Sequence, residues 1–474
     1  MNRKTFPIHL TLATVLILLA AIAGQIRREW QERENRLARQ MPTQKMGELM
    51  RKRAEVLVRF RPDVAPQEIA RISSLLHDNI EDRIESVPGL VVIADEDGLD
   101  AEQVADQYRS LSNVEYAEPN YVINLEPDPQ SATATKFTID YSLRQADDPD
   151  EPDDALFPEQ WSLKNSGQRG GKIGADISAL RAWSKTTGSQ EVVVAVLDSG
   201  VDYLHPDLLK NIWVRPQNIA AYNDPELGQI DDKFGYNAIK NDGDPMDDNG
   251  HGTHVAGIIG AEGNNQIGIA GINWNVRIMP LKFLSSGGFG TTKDAIECIN
   301  YAIDRKRAGV PVRIINASWG STRRSRALED AIRRAGEEGI LFVAAAGNTG
   351  SNTDIVPHYP ASYRLPNVIS VAALDRQDRL ASFSNYGPKS VHIAAPGAEM
   401  LSTWPGGAYE EHSGTSMATP VVAGVAALVL SLEPDLSVNE LRTRLLDAVD
   451  PLNTLSGKIV TGGKINAARA VGAQ

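Results

Sequence analysis

Apolar positions change their period several times along this chain, and each change marks an element. In residues 55–60 they alternate, with Val56, Val58 and Phe60 on one side, which predicts a half-buried strand. Residues 66–76 place Ile69, Ile72 and Leu76 at helical spacing, and residues 100–111 do the same with Val104, Tyr108 and Leu111. Runs at 79–87, 90–94 and 114–122 read as further strands. The order βαββαβ predicts a small α+β sandwich of ferredoxin-like type over residues 53–125.

The pattern after residue 155 is of another kind. Residues 192–197 are apolar without a break, and 278–283, 313–317, 341–346 and 368–372 are similar. Continuous apolar runs suit parallel strands covered on both faces. Helical stretches at 254–262, 292–306, 326–338 and 417–432 separate them. This alternation predicts an α/β fold over residues 155–474, a doubly wound, mostly parallel sheet with flanking helices. Its chemistry should gather at the carboxyl ends of the strands.

Three segments fit neither unit. Arg3 and Lys4 precede an apolar run from Ile8 to Ala23 that closes with Ala21-Ile-Ala23, so residues 1–24 read as an export signal. Cleavage there would give a secreted protein; retention would leave residues 8–26 as an anchor and the protein in the cell envelope. No cysteine stands directly after Ala23, which excludes a lipoprotein anchor. Residues 25–52 are charged and read as an exposed linker without visible chemistry. Residues 126–154 hold Pro127, Pro129, Pro149, Pro152 and the acidic cluster 147–154, and read as a second linker, open to proteolysis. Maturation is expected within 124–154.

Composition narrows the function. The 474 residues suggest two or three units, and 42% hydrophobic content is enough for a sizeable core. A formal charge of −13 argues against nucleic-acid binding. The single cysteine, Cys298, permits no internal disulfide and sits in the apolar stripe 295–302, where a buried hydrophobe is expected. An exported protein without disulfides needs another staple, and bound calcium is a natural one.

Candidate chemistry lies in three short segments: Val194-Ala-Val-Leu-Asp-Ser-Gly-Val-Asp202, Asn249-Gly-His-Gly-Thr-His-Val-Ala-Gly257 and His412-Ser-Gly-Thr-Ser-Met-Ala-Thr-Pro420. They supply Asp198, His251 and Ser416. A hydroxyl needs an imidazole to take its proton, and the imidazole needs a carboxylate to fix its tautomer. Glycines flank His251 so that backbone can pack close to the ring. Zinc on His251 and His254 has no His-Glu-x-x-His pattern and no third ligand to support it, so His254 is expected to be packed and hydrogen-bonded. An α/β-hydrolase would need Gly-x-Ser-x-Gly followed by its acid and histidine; here both partners precede Ser416.

With these flanks and this order, the chain from about residue 154 resembles the subtilisin-like serine proteases. The resemblance implies a serine endopeptidase acting on protein or peptide substrates. It also implies that residues 114–120 end an inhibitory propeptide that assists folding. Asn348, in Ala344-Ala-Ala-Gly-Asn-Thr-Gly350, matches the family's oxyanion asparagine, beside the N–H of Ser416 at a helix amino end. Gly288, Phe289 and Gly290 with Ser318, Trp319 and Gly320 match the two backbone segments between which substrate is added as a strand. Trp319 stands where many relatives carry leucine and is expected to narrow the pocket wall. No acidic residue is placed to select Lys or Arg, so apolar or aromatic residues are expected before the cut. A structural Ca²⁺ is implied as cofactor. Its ligands would be Asn265, the carbonyls of Gly263, Ile267 and Ile269, the carboxylate of Asp207, and Asp154 as in the thermitase-like branch. The loop 241–248 reads either as a second ion site or as a solvated acidic loop. Two alternatives remain: a catalytically silent binding protein of the same fold, and a membrane-tethered latent zymogen.

Overall fold

The computed structural model describes residues 54–129, 136–137 and 151–473. The chain divides into Met1–Arg51 and Lys52–Gln474, and every described residue lies in the second unit. The export segment, the anchor at 8–26 and the whole of the first linker fall outside the described residues.

The amino-terminal domain has the expected order: β1 (Glu55–Phe60), α1 (Pro66–Leu75), β2 (Asp78–Arg83), β3 (Leu90–Asp95), α2 (Ala101–Arg109) and β4 (Val114–Pro119). Its antiparallel sheet runs β2-β3-β1-β4. Val56, Val58 and Phe60 face Ile69, Ile72, Val104 and Tyr108 in one core. The opposite face, with Leu57, Val92 and Tyr116, merges into a core of the following domain. The run 114–122 is two strands rather than one. β1 begins at Glu55 opposite the end of β4, so no partner remains, and the chain leaves as β5 (Val122–Asn124) to pair elsewhere.

The larger domain is built on β6 (Gly188–Asp198), β7 (Tyr236–Asn237), β8 (Asn275–Lys282), β10 (Val312–Ala317), β11 (Leu341–Ala345), β12 (Val368–Leu374), β13 (Ile393–Pro396), β16 (Val449–Pro451) and β17 (Gly463–Ile465). Between them come α3 (His251–Gly260), β9 (Phe289–Thr291), α4 (Thr292–Arg307), α5 (Arg326–Glu337), the hairpin β14 (Met400–Trp404) and β15 (Ala408–His412), and α6 (Thr415–Leu432). The sheet order is β7-β8-β6-β10-β11-β12-β13-β17-β16, parallel except for the last pair. β6 shows why its sequence is unbroken. Val192, Val194 and Val196 pack into the core of α3 and α6, while Val193, Ala195 and Leu197 pack into that of α4. α6 is long and apolar enough to cross a membrane, yet it is the buried centre of this core. After β6 the chain winds to β7 and β8 on one side and then to β10 on the other. The carboxyl ends of β6 and β10 therefore form a switch point, where a cleft opens.

The small domain rests on α4 and α5. Glu118 accepts hydrogen bonds from the N–H groups of Arg326 (2.9 Å) and Ala327 (3.1 Å) and from the Ser325 hydroxyl at the start of α5, where free donors favour an anion. Asn300 of α4 accepts from the Ser86 N–H at 2.9 Å and donates to Glu85.

Candidate active site

Asp198 ends β6 and is fully buried. Its Oδ1 lies 2.7 Å from His251 Nδ1 and also accepts the Ser199 N–H at 2.7 Å. Its Oδ2 is buried and accepts no hydrogen bond from the described residues, so its charge remains directed at the imidazole. α3 starts at His251 itself, three residues earlier than its apolar pattern suggests. Asp247 explains this: its Oδ1 accepts from Asn249 N–H and Gly250 N–H, both at 2.9 Å, and its Oδ2 from Thr253 N–H at 2.9 Å. A methyl group on Gly252 would stand 2.0 Å from the Gly200 carbonyl oxygen, so only glycine lets α3 approach the end of β6 this closely. Asp247 is buried and Asp248 pairs with Lys282, so the carboxyl end of the loop read as an ion site or solvated loop is an internal scaffold. Among the described residues no group of three or more His, Cys, Asp or Glu could hold a metal. His254 is buried with Nε2 3.0 Å from the carbonyl oxygens of Met400 and Glu410, as a packed histidine should be. Cys298 is buried too, and burial pushes its thiol well up.

Ser416 is the second residue of α6, whose leading N–H groups are unsatisfied within the helix. Its hydroxyl donates to the Ser318 carbonyl oxygen at 2.8 Å, so it must turn to give its proton to His251. Asn348 Oδ1 is held by Thr415 N–H (2.8 Å) and Thr415 Oγ1 (2.9 Å), which fixes Nδ2 as the outward donor. A methyl group on Gly414 would stand 3.3 Å from Asn348 Nδ2 and 3.5 Å from Ser416 N. The two donors thus flank one point, as an oxyanion site requires.

The cleft is filled by the chain itself. β5 pairs antiparallel with β9, Ile123 opposite Gly290 and Asn124 opposite Phe289, and the Leu125 N–H donates to the Gly288 carbonyl at 2.7 Å. Gly288, Phe289 and Gly290 are thus the edge to which the chain's own β5 adds. Ile123 lines a small cavity together with Trp319, Thr292, Leu328 and Tyr359. Trp319 is buried, with Nε1 donating to the Leu197 carbonyl at 2.9 Å, and lines the cavity beside Ile123. Gly320 stands against His358, and Ser318 against Ser416. Glu126 accepts the Asn348 N–H at 2.6 Å, and Asp128 Oδ2 lies 2.8 Å from His412 Nδ1. Burial lowers the His412 pKa, but hydrogen bonds and charge from Asp128 and Glu410 outweigh it and carry it up to about 9.

The second linker is docked at both described ends, at Glu126–Asp128 and again at 151–154. Glu151 pairs with Lys164 and Asp154 is buried against the Asn264 N–H at 2.7 Å. Its composition hid this because the ordering comes from partners far along the chain.

Asp154, Asp207 and the loop 263–269 come together as the resemblance implies. Asp207 accepts from Asn265 Nδ2 at 2.8 Å and from Ile269 N–H at 3.0 Å; Asp154 accepts from Asn265 N–H at 3.4 Å. Burial, with the charge of Asp154, pushes Asp207 up to about 8, and burial raises Asp154 to about 7. The carbonyls of Gly263, Ile267 and Ile269 accept no hydrogen bond from the described residues. Two buried carboxylates and three open carbonyls are an oxygen-only set that fits Ca²⁺.

The sequence reading missed Asp247, Thr415, Glu126, Asp128, His358 and His412. No spacing signals them, since each acts through a residue distant in sequence or through the geometry of a loop.

This constellation is that of a serine hydrolase on a doubly wound sheet. The subtilase family model matches residues 189–469 and the fervidolysin N-terminal prodomain model matches 49–120, so the chain belongs to the subtilase family and is a subtilisin-like serine endopeptidase with an N-terminal prodomain. A thermophilic serine proteinase of Bacillus sp. is 36% identical over 423 residues, covering 88% of this chain and 87% of that one. A subtilisin-like protease of Plasmodium berghei is 35% identical over 333 residues, or 65% of this chain, and that match spans 55% of its own length. Among solved structures, fervidolysin from Fervidobacterium pennivorans, a keratinolytic enzyme related to subtilisin, aligns with a TM-score of 0.66 at 24% identity, covering 89% of this chain and 61% of that one.

Proposed function

We propose that the chain is the zymogen of an exported endopeptidase that works through an acyl-enzyme on Ser416. The observation that carries this is the 2.7 Å contact of Asp198 with His251, together with two donors, Asn348 Nδ2 and Ser416 N–H, that flank one point. His251 Nε2 takes the Ser416 proton as Oγ attacks the substrate carbonyl. Asp198 holds Nδ1–H and stabilises the imidazolium, and the two donors receive the oxyanion. His251 then protonates the leaving amine, and water attacks the acyl-enzyme by the reverse sequence. With β5 and Glu126–Asp128 in the cleft, the intact chain is latent, and maturation requires a cut in the second linker. Export rests on the amino-terminal pattern of residues 1–24. The sequence favours apolar or aromatic residues before the cut, but the side chain lying beside Asn348 is Glu126, which speaks for another preference.

Asp154, Asp207, Asn265 and the carbonyls of Gly263, Ile267 and Ile269 would hold the calcium. Bound there, the ion would neutralise the two adjacent buried carboxylates of Asp154 and Asp207 and would fasten the start of the protease to its loop.

The test is the intact mass of full-length protein beside Ser416→Ala after incubation with calcium, with fluorophosphonate labelling of both. Shortening and labelling of the unsubstituted chain alone supports the reading; a labelled Ser416→Ala protein, or an unlabelled parent, overturns it.

A further inference from the structure

Substrate preference is the property the fold leaves most open, and one histidine outside the catalytic set bears on it. His358 is buried between two glycines. A methyl group on Gly320 would stand 2.1 Å from its Nε2, and one on Gly347 would stand 3.0 Å from its Cγ. Gly320 follows the Ser318 segment and Gly347 precedes Asn348. The imidazole therefore forms a wall of the space between the two backbone segments that border the nucleophile. Neither ring nitrogen has a hydrogen-bond partner among the described residues. The Nδ1 edge faces Glu126, whose Oε1 is 3.9 Å away, while Oε2 of the same carboxylate accepts the Asn348 N–H at 2.6 Å.

The register tells which position Glu126 occupies. Leu125 N–H bonds the Gly288 carbonyl on one side, and Asp128 meets His412 and the Ser413 N–H on the other, at 2.8 and 3.3 Å. Glu126 sits between these two anchors with its carboxylate on the Asn348 N–H, which assigns it to the pocket ahead of the cut. We propose that this pocket selects an acidic side chain, glutamate in particular, and that His358 is its specificity-determining residue. The proposal rests on the endopeptidase reading above.

The physical argument is one of unpaired groups. An apolar side chain in this pocket leaves the Asn348 N–H dehydrated without a partner, whereas a carboxylate accepts it and turns its second oxygen toward the imidazole edge, 3.9 Å away. Burial alone lowers His358 to about 4, so the ring is neutral at pH 7, and its Nδ1–H tautomer offers one donor to the incoming oxygen. Glu126 is itself raised by burial, partly offset by the Asn348 N–H bond.

Proline after Glu126 explains how such a segment can fit as substrate and persist. Its nitrogen belongs to a ring and its Cδ crowds the position of the leaving amine, so the bond nearest Ser416 is a poor one to break.

The experiment is a set of peptides, identical except for Glu, Gln, Phe or Leu before the cut, assayed with the matured full-length protein, its His358→Leu variant and its His358→Gln variant. The parent is expected to favour Glu over Phe in kcat/KM by about tenfold or more. His358→Leu should lose most of that ratio, and His358→Gln, which keeps a donor, should retain more of it. A parent that prefers Phe or Leu overturns the proposal, as does an unchanged ratio in His358→Leu. If the variants do not fold, the parent's own ratio decides. Fluorophosphonate labelling of the same samples separates the two failures. A labelled enzyme that prefers Phe loses only the pocket assignment, while an unlabelled one loses the endopeptidase reading as well.

Discussion

Asp247 and Thr253 are joined twice through one oxygen: Asp247 Oδ2 accepts the Thr253 N–H at 2.9 Å and its hydroxyl at 2.6 Å. Together with the Oδ1 bonds to Asn249, Gly250 and the Ser199 hydroxyl, this ties the first turn of α3 to the strand end that carries Asp198. Asp247→Ala leaves several buried donors without an acceptor, at a cost of about 3 kcal/mol or more. A lower melting temperature and a fall in kcat at nearly constant KM are expected. An unchanged kcat would mean that His251 is held by other contacts.

Asn348→Ala removes one of the two oxyanion donors and also the acceptor for Thr415. A loss on the order of 10²–10³ in kcat is expected, the magnitude known from subtilisin's own oxyanion asparagine. Steady-state kinetics on one peptide should show KM little altered.

Removing calcium should restore the repulsion between Asp154 and Asp207. A chelator is expected to lower the melting temperature of the parent by several degrees, and Asp207→Asn should respond much less. A melting temperature indifferent to chelator would exclude a structural ion at this loop.

The contact between prodomain and protease should weaken as pH rises. Burial, only partly offset by hydrogen bonding to Asn300, raises Glu85 from its ordinary 4.5 to about 7. The docked state therefore favours the protonated carboxyl. Affinity is highest below pH 4.5, declines up to about pH 7 and levels off beyond. Asp82, Glu118 and Glu297 are shifted in the same direction. Ser416→Ala protein, nicked in the second linker by an added protease, should release its prodomain on gel filtration more readily at pH 8 than at pH 5.

The fold was legible wherever one short stretch carries its own signal. The unbroken valines of β6 announced a strand covered on both faces, and the glycine beside His251 announced close backbone approach. Asp198, His251, Ser416 and Asn348 each stand in a local motif, so the sequence named them. Asp247 was misread because an acidic residue in an acidic loop looks solvated until its five donors are in view. His358 and Glu126 were invisible for a different reason. Their meaning lies in each other, across more than two hundred residues, and neither has a neighbour that advertises it. The same holds for Asp128 and His412.

Both described ends of the second linker are anchored, at Asp128 and again at Glu151 and Asp154, so the inhibitory strand is held to its own enzyme by covalent continuity. Such a tether gives the strand an effective concentration of about millimolar, whatever the protein's own dilution. Cleaving a single bond between the two anchors abolishes that advantage. Thereafter occupancy of the cleft depends on how much prodomain remains nearby, so the first nick sets latency adrift on volume: the enzyme stays quiet where it is crowded and wakes where it is diluted.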